Sequence, residues 1–134
     1  MTAKIIYNGD LRTTATHLQS GTVIETDAPV DNQGKGERFS PTDLVATALG
    51  NCMMTIMGIA ARTHNIRIEG STCDIEKIMA ANPRRIGEIK VTLHMQGQDG
   101  YTDKEKSILE HAAVTCPVYL SLNSDLQKTV TFNW

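Results

Sequence analysis

Two of the three cysteines stand where a thiol can do chemistry. Cys116 precedes a proline in "HAAVTCPVYLSLN", at the N-cap of a short helix that Pro117 should start. Free backbone N–H groups and the helix dipole stabilise a thiolate there, so the position predicts a lowered pKa. Cys52 closes "FSPTDLVATALGNC" and runs on into the apolar "MMTIMGIAA". In such a helix a thiol's pKa rises unless a cation or donor comes from elsewhere. On this evidence Cys52 is either core filler or one partner of a dithiol. If the two helices pack together, the thiols form a redox pair, in which a sulfenic acid on one condenses with the other. Cys73, in "STCDIEKIM" with Ile75 two places on, reads as a small core hydrophobe. No cysteine pair has CxxC spacing, and His17, His64, His94 and His111 show no HExxH or similar pattern, so no metal is expected. A Cys–His hydrolase needs a histidine beside a thiol, and His111, five places before Cys116, would point away from it on a helix.

The elements that must position these thiols follow from local signals. Ser40 can cap a helix, Pro41 suits its first position and Asp43 is an acid in its first turn. From Leu44 to Ala61 apolar residues fall on almost every face, which predicts a central helix buried all round. Upstream, "AKIIY" and "GTVIETD" read as strands, followed by the polar, glycine-bearing loop "VDNQGKGERF". Downstream, "IGEIKVTLHMQ" alternates cleanly and "NIRIEGSTCDIEKIM" less so, with Asn82–Pro83 as the turn between them. "TDKE" sets a capping box from Thr102 to Glu105 for a second helix ending before Pro117, and "KTVTFNW" reads as a closing strand. The order is that of an α+β fold in a single domain over residues 1–134.

Composition narrows the function classes. A formal charge of −2 supplies no broad basic surface, so nucleic acid and anionic membranes are not expected partners. No uninterrupted apolar run reaches the roughly 20 residues of a membrane span, and "MTAKIIYNGD" lacks the apolar core of a signal peptide, so a cytoplasmic protein is expected. Met53, Met54 and Met57 flank Cys52 with Leu49 beneath it, either as an apolar pocket or as core packing.

"FSPTDLVATALGNC" followed by "CPVYLSLN" resembles the paired cysteine motifs of the OsmC/Ohr family, the osmotically inducible and organic hydroperoxide resistance proteins. "YNGDLRTTATHLQSGTVIETDAP" is similar to the strands that open this family. The resemblance implies an OsmC-like fold of antiparallel sheets around a long central helix, in an intertwined homodimer. It implies that Cys52 attacks an organic hydroperoxide and that Cys116 resolves the sulfenic acid as a disulfide. A dithiol reductant, typically lipoyl-linked, would reopen that disulfide without any bound cofactor. Relatives pair an activating arginine with a glutamate directly after the motif proline; here that position is Thr42, and Arg12 and Arg38 are the candidate arginines. The alternative is a non-enzymatic member that binds an apolar ligand or senses oxidants.

Overall fold

The computed structural model describes residues 1–97 and 100–134, and the chain divides into two compact units, Met1–Val45 and Ala46–Trp134. In the first unit, β1 (Ala3–Gly9), β2 (Arg12–His17) and β3 (Val23–Asp27) form an antiparallel meander in that order. The β1–β2 turn has three consecutive residues of positive φ, Gly9 (87°), Asp10 (49°) and Leu11 (61°), a conformation that glycine and aspartate adopt readily. β2 is the strand that apolar patterning does not single out, because "RTTATH" has threonines on both faces. Its evidence is the ladder, which pairs it with a neighbour on each side.

The loop after β3 is folded back on itself rather than open. A 3-10 turn spans Val30–Asn32, the Gly34 amide donates to the Pro29 carbonyl (3.0 Å) and the Gly36 amide to the Ala28 carbonyl (3.3 Å). Gly34 is obligatory, since a Cβ there would overlap the Ala28 carbonyl. The chain then enters α1 (Pro41–His64). The Ser40 hydroxyl accepts the Asp43 N–H (3.1 Å) and the Asp43 carboxylate accepts the Ser40 N–H (2.8 Å), so Asp43 is the reciprocal cap expected of it.

The second unit packs its part of α1 with a sheet of order β4 (Thr72–Ala80), β5 (Arg85–His94) and β6 (Gln127–Asn133), and with α2 (Asp103–Val114) and α3 (Pro117–Ser121). β4 and β5 form an antiparallel hairpin, but β6 runs parallel to β5. The expectation of purely antiparallel sheets is therefore corrected: the β5–β6 connection passes through two helices, and a crossover of that length delivers a parallel strand. The Thr102–Glu105 capping box, the Pro117 start of α3 and the closing strand all stand where the sequence puts them.

The core of this unit joins Leu49, Met53 and Met57 of α1 to Ile89, Val91 and Leu93 of β5 and to Leu109 and Ala113 of α2. Gly50 lets α1 approach β4 closely, because a Cβ would fall 2.7 Å from Ile75 Cδ1 and 3.1 Å from Cys73 Sγ. The buried residues of α1 are Ala46, Leu49, Gly50, Met53, Met57 and Ala61, a single stripe at helical spacing. The helix is thus not buried all round as predicted; Val45 and Ile59 are exposed. α1 also has an 18-residue window of mean hydropathy 1.7, enough by length and composition to cross a membrane. Counting uninterrupted apolar residues misses this, because Asn51, Thr55 and Gly58 break the run without making the helix polar. Core helices of soluble proteins pass the same test, and the inner stripe here forms the unit's core.

Candidate thiol site

α1 and the α2–α3 corner bring together the two cysteines that the sequence singles out. Cys116 is the N-cap of α3, with extended backbone (φ −66°, ψ 148°), and is fully buried. Its sulfur accepts the Tyr119 N–H at 3.4 Å, and the Val118 N–H beside it also favours the thiolate. Cys52, half-buried on α1, lies near enough for its thiol to push the Cys116 pKa up. The chemistry open to this arrangement is that of two thiols in mutual reach, one partly open to solvent and one closed off.

The electrostatics of Cys116 reverse the sequence expectation. Its cap position is as predicted, but its pKa is raised rather than lowered. Removal from water is the largest cause; the N–H groups of Tyr119 and Val118 oppose it, and the Cys52 thiol adds to it. A five-residue helix presents few amides, and a buried sulfur loses more hydration than they return.

Other candidates fall into structural roles. Cys73 packs at the edge of the core, and burial first, then the Asp74 charge, pushes its pKa up. Leu49, Met53 and Met57 are fully buried core side chains, as the packing alternative has it, while Met54 is only partly buried against that core. His94 has both ring nitrogens occupied, by Asp74 (2.9 Å) and Asn133 (3.1 Å), and His111 is exposed on α2.

Within the first unit the two candidate arginines differ in how they are held. Arg12 donates from Nε and Nη2 to both oxygens of the buried Asp27 (2.7 and 2.8 Å) and from Nη2 to Glu37 (2.8 Å). That guanidinium lowers the Asp27 pKa, and the two carboxylates raise that of Arg12. Arg38 makes an exposed pair with Glu25 (3.0 Å). Sequence reasoning passed over Asp27 and Glu37. Asp27 reads only as the end of a strand, and nothing local marks a carboxylate as the partner of an arginine directly opposite it on the neighbouring strand.

A family model described as OsmC-like protein matches residues 34–131. Among solved structures, a protein of Psychrobacter arcticus 273-4, provisionally named for osmotic stress induction and detoxification response, is 50% identical with a TM-score of 0.95, covering 99% of this chain and 96% of that one. An organic hydroperoxide resistance protein OsmC of Legionella pneumophila is 14% identical with a TM-score of 0.79, covering 100% and 98%. An organic hydroperoxide resistance protein of Elizabethkingia anophelis is 14% identical with a TM-score of 0.77, covering 99% and 96%. At that identity the last two speak to the fold alone. No curated protein matches the sequence.

Proposed function

Since the chain belongs to the OsmC-like protein family, we propose that it is a thiol peroxidase that reduces organic hydroperoxides through Cys52 and Cys116. Family membership supports a redox or stress role, and organic hydroperoxide resistance proteins share the fold. The observation that supports the finer reading is a half-buried thiol, Cys52, near enough to a fully buried one, Cys116, to push up its pKa. In this scheme the Cys52 thiolate attacks the terminal oxygen of a hydroperoxide, the O–O bond breaks and an alcohol leaves. Cys52 is left as a sulfenic acid. The Cys116 thiol then displaces water from it to give a disulfide, which a dithiol of lipoyl type returns to two thiols.

Steady-state turnover with an organic hydroperoxide and a dithiol tests this directly. Wild type should consume peroxide and Cys52→Ser should not. Mass spectrometry without reductant should find Cys52 linked to Cys116 after one equivalent of peroxide. Equal consumption by wild type and Cys52→Ser would sink the enzyme reading and leave a ligand-binding or oxidant-sensing member.

We further propose a cytoplasmic homodimer. Ile5, Ala15 and Ile24 lie in register across β1, β2 and β3, and Ile5 and Ile24 are exposed on that one face. An apolar strip on a small sheet is stable in water when a second surface covers it. Sedimentation equilibrium should give twice the chain mass; a monomer at micromolar concentration would refute the assembly.

A further inference from the structure

The thiol pair is asymmetric in a way that bears on how its disulfide is reopened. Cys116 has 0% exposure and packs in the cluster that holds Leu109, Ala112 and Ala113. Pro117 occupies the first turn of α3, the Tyr119 N–H donates to the Cys116 sulfur from within that turn (3.4 Å), and the Val118 N–H also favours the charged form. Cys52 is half-buried on α1, so part of its side chain meets solvent. Thiol–disulfide exchange is directional: a thiolate approaches along the S–S axis, bonds to the near sulfur and expels the far one. A sulfur walled in by core side chains and its own helix offers no such line.

We infer that an external dithiol attacks Cys52 and not Cys116, and that Cys116 departs as a thiolate received by the backbone N–H groups of Val118 and Tyr119. This rests on the two cysteines forming a redox pair. The reductant's thiolate bonds to the Cys52 sulfur and the Cys52–Cys116 bond breaks. Both electrons of that bond pass to Cys116, which then takes up a proton. The reductant's second thiol attacks its own sulfur in the mixed disulfide and releases Cys52. The reductant leaves as a cyclic disulfide, and both protein thiols are restored. Peroxide and reductant therefore meet the same sulfur in alternate half-reactions. Burial makes Cys116 a reluctant leaving group, and the two amides counter that where the charge appears.

The test starts from protein oxidised with diamide, so that it does not depend on peroxide chemistry. The oxidised protein is treated briefly with 2-mercaptoethanol, quenched in acid, alkylated and mapped by mass spectrometry. The mercaptoethanol adduct is expected on Cys52. An adduct chiefly on Cys116, or equal adducts on both, overturns the inference. Tyr119→Pro removes the N–H that Tyr119→Ala keeps, and should slow cleavage by roughly tenfold relative to it. Equal rates in the two variants would overturn the role given to the amide. If diamide links the pair and the adduct forms on Cys52 while peroxide leaves the thiols free, the direction of attack stands and the peroxidase reading falls. If diamide cannot link them, both fall.

Discussion

In Met1–Val45 the buried side chains are Thr26, Asp27 and Ser40, whereas in Ala46–Trp134 they are apolar, from Leu49 and Met53 to Leu93, Leu109 and Cys116. The two units are thus specified by different forces. The second has a hydrophobic core, whose strength scales with the area removed from water. The first relies on directional contacts: the Arg12–Asp27–Glu37 cluster, the Thr13–Thr26 hydroxyl bond and a loop closed by its own amides. Directional contacts fix geometry well but contribute little net free energy each, and the apolar strip over Ile5 and Ile24 is left for another surface to cover. The thiols belong to the unit with the core, where packing can hold a sulfur in place and keep water from it.

Breaking that contrast begins in the core. Leu93→Ala should cost about 2–5 kcal/mol in denaturant unfolding, since Leu93 is fully buried among large side chains. A loss under about 1 kcal/mol would mean the second unit is not core-driven. The next change belongs to the first unit. The Asp27 pKa is depressed, so its contribution is complete above the ordinary aspartate range near pH 4 and is lost as pH falls through the depressed value. Asp27→Asn should therefore lower stability at pH 7 and shrink the stability difference from wild type as pH drops toward 3. A difference that stays constant from pH 7 to 3 would remove Asp27 as an ionised anchor.

Smaller effects separate two glycines of one helix. A Cβ on Gly58 meets nothing within 4 Å, so Gly58→Ala should stabilise by up to about 1 kcal/mol through helix propensity. Gly50→Ala lacks that gain, because its methyl group would press on Ile75. Destabilisation by Gly58→Ala would instead reveal another chain seated on that face. Within one chain Ile5 is too exposed for Ile5→Ser to cost more than about 0.5 kcal/mol, so any larger loss measures the proposed dimer contact. A loss beyond 1 kcal/mol with a shift in mass would show a second copy covering the strip.

Much of this molecule was legible in the residues. The caps at Ser40 and Thr102, the proline start of α3 and the alternation of β5 are local signals, read within a few residues of where they act. The threonine-rich β2 was not, since its place is settled by the neighbours it pairs with. Nor was the parallel course of β6, which depends on where two helices return the chain.

By itself the sequence determined most of the elements and the family, and it singled out two of the three cysteines, because caps, periodicity and motif spacing are properties of short stretches of chain. Tertiary structure alone decided which face of α1 is buried, that Arg12 belongs to Asp27 and Glu37, and which thiol is closed off. Those outcomes depend on what stands opposite a side chain and how much water it keeps. Cys116 is the clearest case: its helix end favours a thiolate, and the core around it outweighs that preference.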